Sequence, residues 1–221
     1  QLAHITTKSP AIQERLAFYA MQWAELWSPA NFLATNPEAL QKFMHSQGLS
    51  LFKGVQNLME DLQKGRLTQV DEQAFTVGEN VAITPGAVIF QNELFQLIQY
   101  RPSTKEVYER PLLMVPPCIN KYYILDLQPE NSFVRYAVEQ GHTVYLVSWR
   151  NPMPEDDDGI LQATWGDYLE HGVLKALQVV QEVSEQKAVN TLGFCVGGTL
   201  LASALSIAAA RGSELAHSMT L

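Results

Sequence analysis

Residues Gly193-Phe194-Cys195-Val196-Gly197, followed by Gly198, match the pattern G-x-S-x-G with cysteine at the serine position. An apolar run precedes them at 188–192 and an Ala/Leu-rich stretch follows at 199–211, so the order is strand, tight turn, helix, with a nucleophile at the apex. A strained turn between a strand and a closely packed helix leaves no room for side chains two positions either side of its apex, and Gly193 and Gly197 meet that need. The apex also falls at a helix N-terminus, where free N–H groups and the positive end of the dipole favour a thiolate and a nearby oxyanion. The chemistry is that of a nucleophilic thiol. The same five residues also suit a buried cysteine in a Gly-rich turn with no chemistry at all, and alone they do not choose between the two.

A nucleophile elbow of this kind belongs to the α/β-hydrolase sheet, which asks for further parts. One oxyanion donor is the backbone N–H of Val196; a second is expected from the loop after an earlier strand, and residues 116–120 have that position. Pro116 and Pro117 stiffen the loop without offering donors, which leaves Cys118, Ile119 and Asn120; Ile119 and Asn120 are assigned as donors. Cys118 has neither the glycine turn nor the helix dipole of Cys195 and reads as a small packed thiol. An acid and then a histidine should follow the nucleophile along the chain. After Cys195 there is no aspartate, one glutamate, Glu214, and one histidine, His217. The intervening helix carries the chain roughly 18 Å away from the elbow, so His217 begins the next strand at the far edge of the sheet. His142 precedes its own strand and should lie at that same edge. The activating base is therefore expected outside this sequence, while His45 and His171, without partner patterns, are read as structural.

The rest of the chain supplies the elements that position this turn. Ser9-Pro10 and Asn36-Pro37 are helix starts, and apolar residues at helical spacing run from Leu16 to Leu26 and from Leu40 to Leu62 with a break at Gly48. Residues 1–75 therefore form a helical region, whose aromatic stripe is read as core in preference to a docking surface. From Thr76 the period shifts towards two, giving first strands around Val77, Val81 and Ile83, at 87–90 and at 94–100. The apolar run 112–115 suits a strand buried on both faces. A helix opened by Gln128-Pro129 and closed at Gly141 follows, then a strand at 143–147, then an acidic loop at 155–158 read as a solvated turn. Thr164 with Asp167 resembles a capping box before another helix; a strand at 188–194, the elbow with its helix, and a strand from Ser218 complete the order. This alternation predicts a mostly parallel α/β sheet with flanking helices over 76–221, as the first part of a catalytic domain.

Composition narrows the setting. Fifteen basic against 23 acidic residues give a net charge of −8, which argues against nucleic acid as the main partner. No apolar run is long enough to span a membrane. The two cysteines, 77 residues apart and without metal-ligand spacing, point to free thiols in a reducing cytoplasm and to no metal. No cofactor is called for.

Longer segments extend the pattern: SPANFLATNPE (28–38), TPGAVIFQNELFQLIQY (84–100), VPPCINKYYILDL (115–127), VYLVSWRNP (144–152) and GFCVGG (193–198). In that order they resemble the class I polyhydroxyalkanoate synthases, which polymerise (R)-3-hydroxyacyl-CoA into storage polyester, and the resemblance covers essentially the whole chain. It implies that Cys195 carries the growing acyl chain as a thioester, that the protein is a dimer associated with polyester granules, and that the family's catalytic aspartate and histidine lie in a C-terminal part that this sequence does not contain. The chain is thus expected to be a truncated piece, inactive and prone to self-association when expressed alone. Cys118 is a second departure, standing where relatives often have an aromatic.

Two other readings remain at this point. A polyester depolymerase or thioesterase uses the same fold, which does not fix function. A non-catalytic role in granule binding or assembly, through the aromatic face of the N-terminal helices, is the other.

Overall fold

A computed structural model describes residues 9–221, and these divide into two compact units with the boundary between Glu72 and Gln73. The first unit is helical: α1 (Pro10–Leu26), α2 (Pro37–His45) and α3 (Leu49–Lys64). Proline opens α1 and α2, and the Asn36 side chain accepts hydrogen bonds from the backbone N–H groups of Glu38 and Ala39, satisfying two donors that the helix itself leaves free. Gly48, at φ 89°, makes the break between α2 and α3. The expectation that the aromatic stripe forms a core is corrected here. None of the residues of these three helices is buried, and Trp23 is 61% and Phe52 69% exposed, because the helices of this unit supply no second layer of their own to bury the stripe.

The second unit is built on one mixed sheet of six strands: β1 (Gly86–Gln91), β2 (Phe95–Tyr100), β3 (Leu112–Val115), β4 (Val144–Trp149), β5 (Val189–Gly193) and β6 (Ala216–Thr220), in the order β1-β2-β4-β3-β5-β6. β1 and β2 form an antiparallel hairpin and β2 meets β4 antiparallel; from there β4, β3, β5 and β6 are parallel to one another. The sequence expectation of strand around Val77, Val81 and Ile83 does not hold: Val77 and Val81 share a single bridge, and the chain bends at Gly78 and at Ala82, both at positive φ. Ala82 donates its N–H to the carbonyls of Asp126 and Leu127, and Thr84 Oγ1 reaches Asp126 Oδ1 at 2.6 Å, so this segment is tied down by a loop in place of a neighbouring strand.

Side chains alternate across the sheet, and both faces are covered. Leu113, Val115, Tyr145 and Val147 point into one core with Leu177 and Val180 of α6 (Lys175–Ser184) and Leu200, Leu201 and Ala204 of α7 (Val196–Ala210). Met114, Val144 and Leu146 point into the other, against Val134, Ala137 and Val138 of α4 (Phe133–Glu139). The cap of α4 is Ser132, whose Oγ accepts from the Arg135 N–H, three residues beyond the proline that the sequence marked. Thr164 and Asp167 do form a capping box at α5 (Trp165–Asp167), but the helix then widens into a π-helical stretch, Tyr168–Leu174, before α6.

Candidate active site

β3 and β5 are neighbouring parallel strands, paired from Leu112 with Asn190 to Val115 with Gly193, so the segments leaving their C-terminal ends run side by side. The Phe194 N–H extends the ladder by one bond, 3.1 Å to the Val115 carbonyl. Cys195 then turns the chain at φ 56°, ψ −126°, a backbone conformation that costs a non-glycine residue of order 1–3 kcal/mol. It is solvent-exposed and caps α7, which begins at Val196, three residues earlier than the sequence indicated. The Val196 N–H is in the first turn, where no helix carbonyl is available to it.

The flanking glycines are required by space. A Cβ on Gly193 would lie 2.5 Å from Gly198 Cα, and one on Gly197 would lie 2.1 Å from the Val115 carbonyl oxygen and 2.6 Å from that of Pro116. The first turn of α7 is thereby pressed against the backbone that starts the 116–120 loop. Two bonds inside α7's start, Gly197 N–H to Phe194 O and Gly198 N–H to Cys195 O, both 2.9 Å, close the elbow.

The loop after β3 is organised otherwise. Pro116 and Pro117 are buried, Cys118 is half-buried, and Ile119 is 78% exposed. Burial pushes the Cys118 thiol up from its ordinary pKa, which keeps it neutral. Of the two expected donors, Asn120 is already used: its N–H bonds the Pro117 carbonyl at 3.2 Å and closes a turn, while its side chain accepts from the Lys121 N–H. A local turn engages that amide, whereas the Ile119 N–H makes no backbone hydrogen bond in the loop. Beside it an open cavity of about 490 Å³ is lined by Cys118, Ile119, Asn151, Trp165 and Tyr168, among others.

Neither His142 nor His217 stands at this edge. His217 is the second residue of β6, next to Ala216, which pairs with Val189 at the start of β5. His142 precedes β4, its ring against Tyr108 at 4.9 Å. His45 is exposed on α2. His171, read as having no titratable neighbour, sits near Asp167 and Glu170 and helps lower both carboxyl pKa values, with smaller effect than the hydrogen bonds from Thr164 and Arg211. The acidic loop is likewise more than a solvated turn: Asp156 pairs with Arg150 at 2.9 Å and Asp158 bonds the same guanidinium, which holds both carboxyls below their usual range together with backbone donors.

Two residues of this edge escaped the sequence reading. Trp149, the last residue of β4 and 3% exposed, donates its indole N–H to the Pro116 carbonyl at 2.8 Å, and Gly172, in the π-helical stretch, lies close to Cζ3 and Cη2 of that indole. A tryptophan ending a buried strand and a glycine inside a helix were the signals available.

This turn-and-loop geometry sits in a chain whose residues 2–137 match the family model "Poly-beta-hydroxybutyrate polymerase (PhaC) N-terminus". The chain belongs to that family. It is 56% identical over 221 residues to the poly(3-hydroxyalkanoate) polymerase subunit PhaC of Cupriavidus necator, covering 100% of this chain and 37% of that protein. The subunit of the same name from Rhizobium meliloti is 46% identical over 213 residues, 95% of this chain and 34% of its own length. The chain thus spans about a third of the length of these curated relatives. Among solved structures, a putative lipase from Sulfolobus solfataricus overlays 58% of this chain and 45% of its own at 14% identity and a TM-score of 0.41, a likeness too slight to argue from. Among the described residues, no helix is long and apolar enough to cross a membrane.

Proposed function

We propose that this chain is the nucleophile-bearing part of a polymerase that transfers (R)-3-hydroxyacyl groups from CoA into polyester, and that Cys195 is the group that carries the acyl chain. The observation that carries this reading is Cys195 itself, exposed at φ 56° on the N-terminus of α7 and flanked by glycines that admit no side chain. The Cys195 thiolate attacks the thioester carbonyl, a new C–S bond forms as the bond to CoA sulfur breaks, and CoA leaves as a thiol once protonated. One thioester replaces another, so the acyl group stays activated. The hydroxyl of the next acyl unit then attacks the Cys195 thioester, its proton passes to a base, and the cysteine sulfur is released for the next cycle. The N–H groups of Val196 and Ile119 stabilise the oxyanion in both steps. With His142 and His217 at the opposite ends of their strands, we assign the base and its acid partner to residues outside these 221 and expect the chain alone to be inactive.

Intact mass spectrometry of the full-length polymerase after incubation with 3-hydroxyacyl-CoA tests the assignment. The acyl adduct should vanish in Cys195→Ala and persist in Cys118→Ala; an adduct that survives in Cys195→Ala overturns it. The hydrolase reading is separated by product: free hydroxy acid in place of polymer. The exposed apolar faces of α1, α2 and α3 support a role for the first unit at the polyester granule surface or in the homodimer, in the cytoplasm. Granule association by this chain carrying Cys195→Ala is the expected result, and its absence removes that role.

A further inference from the structure

The loop that offers the Ile119 N–H has little backbone bonding of its own to hold it. β4 pairs with β3 only as far as Met114, and β5 reaches Val115; Pro116 and Pro117 have no N–H to contribute. The carbonyl of Pro116, the first group beyond the ladder, instead accepts the indole N–H of Trp149 at 2.8 Å. That carbonyl oxygen is one of the two that a Cβ on Gly197 would meet, at 2.6 Å beside the Val115 oxygen at 2.1 Å, so the bond holds the first residue of the loop where it touches the elbow.

The indole is itself held on three sides. Phe95 packs edge-on at 6.0 Å between ring centroids, Tyr168 lies tilted at 5.4 Å, and Gly172 closes the third side. A Cβ on Gly172 would stand 2.8 Å from Cζ3 and 2.9 Å from Cη2 of Trp149. Gly172 is buried in the π-helical stretch Tyr168–Leu174, the only π-helical stretch among the described elements, and π-bulges are frequent at functional sites. The widened turn brings a glycine against a ring that a side chain would displace.

We propose that Trp149 is a positioning residue for acyl transfer: its indole N–H locks the Pro116 carbonyl and thereby sets the Ile119 N–H against the Cys195 apex, with Gly172 keeping the ring in register. This rests on the reading of Cys195 as nucleophile and Ile119 as oxyanion donor. Trp149 acts through the loop and touches no reacting atom.

The test uses the full-length polymerase with Trp149→Phe, which keeps an aromatic ring and removes the donor, and Gly172→Ala, which keeps the donor and displaces the ring. Two rates are read for each: acylation of Cys195 by 3-hydroxyacyl-CoA in rapid quench, which develops an oxyanion, and alkylation of Cys195 by iodoacetamide, which does not. Both variants should slow acylation about tenfold, less than the hundredfold or more that follows outright loss of an oxyanion donor. The fall should appear in kcat with KM little changed, and alkylation should stay within twofold of the parent. Equal loss in both rates means a merely structural role for Trp149 and overturns the proposal, as does wild-type acylation in Trp149→Phe. Cys195→Ala run alongside separates the two levels: if it still acylates, the site assignment fails; if it is dead while Trp149→Phe is unimpaired, only the positioning role fails.

Discussion

The turns that leave β3 and β5 lie side by side at one edge of the sheet, and each carries a cysteine, yet they are held by different means. The elbow at Cys195 is fixed by the chain's own backbone: glycines at 193, 197 and 198 let strand and helix close on each other, and the strain at φ 56° is sustained by that packing. The loop at Cys118 is fixed by distant side chains, with two prolines that remove hydrogen bonds and an indole from β4 that restores one. One cysteine is thereby presented to solvent on a helix N-terminus and the other is half-buried against the core with its thiol kept neutral. The contrast teaches that exposing a thiol on a helix N-terminus here depends on backbone geometry, and that a nearby cysteine does not share it.

The largest expected effect comes from filling the elbow. Gly197→Ala in the full-length polymerase places its Cβ against two backbone carbonyls that cannot rotate away, and acylation of Cys195 should fall by two orders of magnitude or more, with a loss of stability of about 2–3 kcal/mol. Retention of near-parent acylation would mean that the elbow and the loop are not locked together as described. Next in size is the difference between the thiols. Iodoacetamide near neutral pH should modify Cys195 about tenfold faster than Cys118, because the thiolate is the nucleophile and burial disfavours it at Cys118. Modification of Cys118 should rise only as pH climbs beyond the ordinary thiol range, since burial has moved its pKa upward; peptide mapping across a pH series checks the order, and faster labelling of Cys118 breaks the comparison. The smallest effect is Pro117→Ala. It loosens the unfolded chain and adds one N–H, so chemical denaturation should show a loss of about 0.4–1 kcal/mol with the elbow's alkylation rate unchanged.

The apex illustrates what could be read directly. Gly193, Cys195 and Gly197 announce the turn because close approach of a strand and a helix is a local steric demand, and local demands are written in neighbouring residues. The buried strands at Leu112–Val115 and Val144–Trp149, and the helices between them, followed from hydrophobic runs and caps for the same reason. The antiparallel hairpin β1-β2 and the parallel run from β3 onward agree with the alternation of the sequence, although Val77, Val81 and Ile83 alternate without forming a strand: Val77 and Val81 share one bridge, and the Ala82 N–H bonds the carbonyls of Asp126 and Leu127.

What the sequence by itself determined is therefore the elbow, with Cys195 at its apex, and the order of elements, each set by spacing within a few residues. Only the tertiary structure decided what holds the neighbouring loop. The Pro116 carbonyl finds its donor 33 residues away in Trp149. The same holds for the aromatic stripe of the first unit, where helical periodicity gives an apolar face but not what lies on it, and for Gly172, whose use depends on an indole from another strand. Periodicity and caps are properties of a segment, whereas burial and hydrogen-bond partnership are properties of pairs of segments, and no single stretch of chain contains both members of the pair.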